Sequence, residues 1–163
     1  MPITINEIVE YVQQTFPDVH DNCNWGERAL FYNPGQQLPK GIYLLTFKEK
    51  DGANDNASKI SPGHYRLNIG ISKKAFIGLF GRIPSRPVAG GIVDSGHDFT
   101  KDNVITPHPV YGWMNWIAVK NPAHETFDSL KPLLTEAYQM ATVKFEKRIM
   151  LAARKATSPI KGG

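Results

Sequence analysis

The sequence predicts an α+β fold, in which an antiparallel sheet carries an N-terminal and a C-terminal helix on one of its faces. Three observations lead to this prediction. Apolar residues recur at helical spacing near both ends of the chain, short β-branched and aromatic segments lie between them, and these segments follow one another through turns of hairpin length. The opposite face of such a sheet would stay available for solvent or a partner.

The first helix has a clear start and a clear end. Thr4 can cap it, and Glu7 stands three residues later, where it completes a capping box. The helix should end before Pro17, because the residue before a proline disfavours helical geometry. Its apolar positions recur at helical spacing and are Ile5, Ile8, Val9, Val12 and Phe16.

Four segments are typical of strands, at residues 22–32, 41–48, 64–71 and 111–119. The third alternates, with Tyr65, Leu67, Ile69 and Ile71 on one side and His64, Arg66 and Asn68 on the other. This alternation predicts an antiparallel strand that is buried on one face and solvated on the other. Residues 49–63 are polar and indicate a surface loop.

Two further helices complete the predicted order. Ser72 can cap a short helix that Gly81 closes. A long connection at 82–107 follows, of a length that is commonly functional or disordered. From about Ser129 a long helix carries one apolar stripe, formed by Leu130, Leu133, Leu134, Ala137, Tyr138, Ala141 and Phe145. We expect one domain over residues 1–148 and a basic, partly disordered C-terminal extension over 149–163.

Composition narrows the class of protein. The chain has 163 residues, of which 41% are hydrophobic and 21% charged, as in an ordinary globular domain. No apolar run approaches the roughly 20 residues of a membrane span, and the N-terminus has no pattern of a secretory signal. The single cysteine, Cys23, rules out an intrachain disulfide. We therefore expect a cytoplasmic protein without a membrane partner; its oligomeric state does not follow from the sequence.

The positive charge is concentrated near the C-terminus. Residues 1–128 carry 12 Lys and Arg against 13 Asp and Glu, whereas residues 129–163 carry 7 against 2. Such a stretch can be a solvated helix end, or it can attract phosphate groups. Nucleic acid is therefore one candidate partner, bound by the basic residues Lys144, Lys147, Arg148, Arg154 and Lys155. No helix-turn-helix, zinc-finger or RNA-recognition signature accompanies them.

A small-molecule site is the function that we favour from the sequence. Residues 94–121 hold more groups suited to recognition than any other stretch. Trp25 and Trp116 are expected as apolar walls, with Tyr111 near them, and His97, Asp98 and His108 as polar anchors, since pockets combine apolar walls with a few polar groups. The alternative is that the aromatic residues belong to the core and the loop packs over them.

Metal binding and catalysis are weaker alternatives. Asp94, His97, Asp98 and His108 include metal-ligating types, but their spacing fits no metal-binding pattern, so no metal site and no cofactor are assigned. A histidine could act as a base in an acid–base or metal-dependent hydrolase, yet no nucleophile motif accompanies it. Non-covalent binding is therefore preferred to enzymatic activity.

Several motifs resemble a bacterial family of unknown function, domain-of-unknown-function family 6194. They are Trp25-Gly26 before a strand that ends in Phe31-Tyr32-Asn33-Pro34, the segment 67–72, His97-Asp98-Phe99-Thr100, residues 107–111 with Trp116 and Asn121-Pro122, and residues 133–138. The order of the elements is also similar to that of the MmcQ/YjbR-like proteins. The resemblance implies a frataxin-like α+β fold with suggested DNA binding, and a bacterial, cytoplasmic protein; it implies no established activity.

Overall fold

A computed structural model describes residues 1–24 and 27–157. Within these ranges the chain forms three α-helices: α1 at Ile5–Thr15, α2 at Lys73–Phe80 and α3 at His124–Thr157. The same described residues form six strands: β1 Val19–Asn24, β2 Glu27–Tyr32, β3 Ile42–Lys48, β4 Arg66–Gly70, β5 Ile105–Pro107 and β6 Trp116–Lys120. They form one antiparallel sheet in the order β1-β2-β3-β4-β6-β5. The predicted α+β class is confirmed.

The helix ends follow the sequence signals. Thr4 Oγ1 accepts a hydrogen bond from Glu7 N at 3.1 Å, and Glu7 Oε2 accepts one from Thr4 N at 2.7 Å, which completes the capping box. Ser72 Oγ accepts from Ala75 N at 3.0 Å, and Gly81 ends α2 at a φ of 83°, where glycine is favoured. Local chemistry therefore determines where these helices begin and end.

The main core lies on one face of the sheet, beneath α1 and α3. Ile8 and Val12 of α1 and Leu130 and Leu134 of α3 are fully buried there. The strand residues that meet them include Leu30, Leu45, Phe47, Leu67, Ile69 and Ile117. The prediction that both terminal helices pack on one face of the sheet is confirmed.

Three predicted boundaries need correction. The segment 22–32 is not one strand: residues 22–24 belong to β1 and residues 27–32 to β2, and the two strands pair antiparallel. The strand expected at 111–119 begins only at Trp116, since residues 112–114 form a 3₁₀ turn that ends at Asn115 with φ 68°. Helix α3 begins at His124 rather than near Ser129, and buried Phe127 extends its apolar stripe towards the N-terminus.

The predicted domain boundary at residue 148 does not coincide with a break in the helix. Helix α3 runs without interruption to Thr157, and residues 150–156 are exposed. Before that point, Phe145 packs with Ile42 and Ala141 in a small second apolar cluster. Residues 158–163, the end of the extension that we expect to be partly disordered, lie outside the described residues.

Candidate functional site

Three cationic residues stand side by side on the face of the sheet opposite the helices. Lys48, Arg66 and Lys120 are paired neighbours on β3, β4 and β6. Their side chains are only 12%, 2% and 8% exposed. The alternation in β4 predicted that this face is solvated. That prediction is wrong at Arg66 and at Asn68, which is 1% exposed. Buried charges are costly unless they are paired, so the partners of these cations organise this face.

Arg66 is paired by a loop that crosses the strands. Asp55, in the 49–65 loop between β3 and β4, accepts hydrogen bonds from Arg66 Nη1 at 2.9 Å and from Nη2 at 2.6 Å. Ser58 Oγ of the same loop accepts at 2.9 Å, and Asn68 Oδ1 accepts from Nε at 2.7 Å. Burial raises the pKa of Asp55, but the hydrogen bonds and charge of Arg66 outweigh it, and the pKa lies below its ordinary value. Asp55 is thus an anion fixed by a fork of two bonds.

Lys120 fastens the same loop at a second point. Its Nζ donates to the carbonyl oxygens of Ser58 at 2.9 Å, Lys59 at 3.2 Å and Thr100 at 3.0 Å. Asp102 Oδ1 lies 3.6 Å from the same nitrogen. The ammonium group therefore joins the 49–65 loop to the segment around Thr100.

Lys48 completes the row at the side of β2. Its Nζ lies 3.1 Å from Glu27 Oε1 and 4.0 Å from Asp55 Oδ2. Glu27, at the start of β2, is 34% exposed at its side chain. Two carboxylates thus flank one ammonium group at the edge of the covered region.

His108 lies against this ion pair as a neutral ring. Its Nδ1 accepts hydrogen bonds from the backbone N–H groups of Val110 and Tyr111, both at 3.0 Å. The other nitrogen, Nε2, lies 3.1 Å from Arg66 Nη2, which can only donate a hydrogen bond, and 3.9 Å from Asp55 Oδ2. Burial and the charge of Arg66 lower the pKa of His108 to about 3. Because N–H donors face both ring nitrogens, the ring offers no free lone pair to act as a base.

A cleft of about 530 Å³ opens beside these groups. Its floor is formed by Ala29 and Thr46, which pair across β2 and β3. One side is the 49–65 loop and the other is the segment 108–116. The apolar lining residues are Ala29, Tyr43, Val110, Tyr111, Met114 and Trp116, and the polar ones are Glu27, Thr46, Lys48, Asn54, Asp55 and His108. Apolar walls with a polar end are the composition of small-molecule sites.

Irregular backbone brings two of the aromatic walls into place. The register between β2 and β3 shifts after Leu30, so that Leu44 and Leu45 are both buried and Tyr43 lies in the cleft. Trp116 pairs with Gly70, and a Cβ atom at Gly70 would lie 3.1 Å from Trp116 Cε2. The absence of a side chain at Gly70 thus lets the indole lie close against β4.

The predicted binding residues are divided by the fold. His108, Tyr111 and Trp116 line the cleft together. His97 lies elsewhere, with Nδ1 2.9 Å from Ser95 Oγ and its ring edge-on to Phe80. Asp98 Oδ1 accepts a hydrogen bond from Thr100 N at 2.9 Å and so closes a turn. Neither His97 nor Asp98 lines the cleft, and Trp25 lies outside the described residues.

Sequence reasoning missed the charged half of the site. Glu27, Lys48, Asp55 and Arg66 were not among the predicted binding residues. Arg66 did carry a signal, because it stands between apolar residues in a strand, but an arginine at such a position is usually solvated. Only the fold shows that a loop covers it.

The predicted basic residues lie exposed on α3, and the candidate metal ligands form no metal-binding cluster among the described residues. Lys144, Lys147, Arg148, Arg154 and Lys155 are all exposed on α3. Within residues 1–24 and 27–157, no three His, Cys, Asp or Glu side chains come close enough to hold a metal ion. Over the same ranges, no helix combines the length and the apolar character that crossing a membrane requires.

Comparison with known proteins places the chain in one family. Residues 3–150 match a family of unknown function, DUF6194. No curated protein sequence and no solved structure matches the chain. Nothing in these comparisons supports the expected similarity to the MmcQ/YjbR-like proteins. The match covers α1, the whole sheet and most of α3, and the chain therefore belongs to the DUF6194 family.

Proposed function

We propose that the protein binds a small organic molecule non-covalently in the cleft on the open face of its sheet. The observation that carries this proposal is the contrast between the two parts of the lining. Tyr43, Tyr111 and Met114 are 43%, 49% and 51% exposed, whereas the polar end is already fixed by Arg66. Exposed apolar side chains contribute most to the free energy of binding when a ligand removes them from water.

The chemistry of the polar end favours binding over acid–base catalysis. The lone pair of His108 Nδ1 is engaged by two backbone N–H groups, and the low pKa keeps the ring neutral near pH 7. Asp55 is held as an anion by Arg66. Cys23 lies exposed on β1 and does not line the cleft. The groups of the cleft are therefore suited to orient a ligand rather than to exchange protons with it.

Native mass spectrometry of the freshly purified protein tests this proposal. We expect an organic adduct that disappears on denaturation. Met114→Arg places a charge in the apolar wall of the cleft and should therefore remove the adduct. Because Met114 is exposed, its replacement spares the core. Met150→Arg is the matched control, since Met150 is 56% exposed on α3 and outside the cleft. Equal adduct occupancy in both variants would contradict the proposal.

Nucleic-acid binding through α3 is the second candidate. The observation in its favour is the spacing of exposed Lys144, Lys147, Arg148 and Lys155, which puts them on one side of the helix. Affinity for duplex or single strands should fall steeply with salt and be lost in a Lys147→Glu, Arg148→Glu variant. Salt-insensitive binding, or equal affinity in the variant, would exclude this candidate.

A further inference from the structure

The formal charges that line the cleft sum to one negative charge. Glu27 and Asp55 are carboxylates, Lys48 is the cation between them, and His108 is neutral. Arg66 lies behind Asp55 and is 2% exposed, so a ligand would not touch it. The surface that a ligand meets is thus slightly more suited to a cation than to an anion.

The donors near the cleft are largely committed. Arg66 uses its N–H groups on Asp55, Asn68 and Ser58. Lys48 is shared between Glu27 and Asp55, at 3.1 Å and 4.0 Å. An anionic ligand would therefore have to compete with two carboxylates for the only cation that lines the cleft within the described part of the chain.

Acceptor capacity remains for a cation. Glu27 Oε1 accepts from Lys48, whereas Oε2 has no hydrogen-bond donor among the described residues. Tyr43, Tyr111 and Trp116 line the same cleft, and the faces of their rings carry the negative lobe of the aromatic quadrupole. One carboxylate residue with acceptor capacity and three aromatic residues thus line the same cleft.

We infer that the cleft selects a molecule with an organic ammonium group, which pairs with Glu27 while its apolar body lies against Tyr111, Met114 and Trp116. This inference rests on the proposed binding function. The ammonium group would share Glu27 with Lys48, and the aromatic rings would add cation–π attraction. Anionic ligands such as carboxylates should bind with lower affinity.

Three probes of one ring system test the charge preference. Tryptamine, indole-3-acetamide and indole-3-acetate carry a cationic, a neutral and an anionic group on the same indole. Each is titrated into ¹⁵N-labelled protein, and the backbone amide shifts report both the affinity and the place of binding. We expect tryptamine to bind at least about tenfold more tightly than indole-3-acetate, the range of a hydrogen bond to a charged group. Its shifts should centre on Ala29, Thr46, Gly52 and Tyr111.

Two substitutions should change the affinity for tryptamine in opposite directions. Glu27→Gln removes the carboxylate and should weaken binding about tenfold. Lys48→Met removes the internal competitor and should strengthen it, while Asp55 keeps its two bonds to Arg66. Glu49→Gln is the matched control, because Glu49 is exposed beside Lys48 but does not line the cleft. Thermal unfolding of each variant checks that it is folded.

The outcomes separate the inference from the proposed function. Tighter cleft binding of the amide or the acetate, or weaker tryptamine binding in Lys48→Met, would overturn the ammonium preference and leave cleft binding intact. Absence of tryptamine shifts at the cleft would also overturn it. The proposed function itself is judged by the co-purified adduct and its loss in Met114→Arg.

Discussion

At the scale of single residues, Arg66 decides the character of the open face. A guanidinium group that is almost fully buried needs partners for its charge and for its N–H groups. Asp55, Ser58 and Asn68 supply them, and Asn68 in turn donates to Thr46 Oγ1 at 3.1 Å on the floor of the cleft. One charged side chain thus connects the covering loop to the proposed binding surface.

Removing the carboxylate partner should be costly. Asp55→Asn leaves Arg66 as a buried, uncompensated cation and should lower the free energy of unfolding by about 3 kcal/mol. The matched control is Asp21→Asn, because the Arg28–Asp21 pair is similarly close at 2.7 Å but about one-third exposed. That change should cost less than about 1 kcal/mol. Urea unfolding measures both, and equal losses would show that burial of the Arg66 pair contributes nothing.

His108 should make the protein sensitive to mild acid. Its folded pKa of about 3 lies below the ordinary value of 6.5, so between these values the unfolded state binds a proton that the folded state does not. Stability should therefore fall as the pH drops from 6.5 towards 4.5, by up to about 1.4 kcal/mol per pH unit. Below this window, protonation of Asp55, whose pKa is lowered in the folded state, causes a further loss of stability.

The variant that isolates this effect is His108→Asn. An amide oxygen can take over the two backbone hydrogen bonds of Nδ1 and does not titrate. Urea unfolding between pH 4.5 and 6.5 should show a flatter profile for His108→Asn than for the wild type, and an unchanged profile for the exposed control His64→Asn. Parallel profiles for wild type and His108→Asn would refute the assignment of the neutral buried ring.

At this scale the sequence identifies side chains better than it identifies their surroundings. His108, Tyr111 and Trp116 were predicted as binding residues and do meet in one cleft. Arg66 was assigned to a solvated face, because alternation in a strand reports which residues share a side and not what covers that side. Its partner Asp55 lies in a polar loop whose path no periodicity describes.

At the scale of elements, the 49–65 loop is the part that turns a sheet face into a site. Arg66 and Lys120 each hold it, the first through Asp55 and Ser58 and the second through the carbonyls of Ser58 and Lys59. Ile60 N also donates to Asp51 Oδ1 at 3.1 Å within the loop. These bonds keep Gly52, Asn54 and Asp55 at the wall of the cleft.

Loss of the Lys120 ammonium group should loosen this loop. Lys120→Met leaves three carbonyl oxygens without their donor and should destabilise the fold by about 1–3 kcal/mol. Trypsin should then cut after exposed Lys59 faster than in the wild type. Lys101→Met, an exposed lysine in the neighbouring segment, should leave the rate unchanged. An unaltered rate of cleavage in Lys120→Met would contradict this role.

Elements with local end signals could be predicted, and elements that depend on tertiary contacts could not. The capping box of Thr4 and the glycine stop at Gly81 are complete within a few residues of sequence. The start of β6 at Trp116 depends instead on pairing with β4, where Trp116 lies opposite Gly70. The shifted register at Leu44 likewise arises from pairing between β2 and β3.

At the scale of the whole molecule, one face of the sheet forms the core and the other forms the cleft. Helices α1 and α3 bury the apolar face and supply the core. The other face is covered unevenly by the 49–65 loop and by the segment 108–116, and the cleft is the space left between them. The sequence predicts the first arrangement through helical periodicity, whereas the second depends on how two irregular segments approach each other.

The most direct test of cleft binding is a screen of small-molecule fragments by backbone amide shifts on ¹⁵N-labelled protein. The proposed site predicts that fragments shift the amides around Ala29, Thr46 and Tyr111, and that Met114→Arg abolishes these shifts while Met150→Arg preserves them. Fragments that bind only elsewhere, for example along the end of α3, or shifts that persist in Met114→Arg, would contradict the cleft as the binding site of this protein.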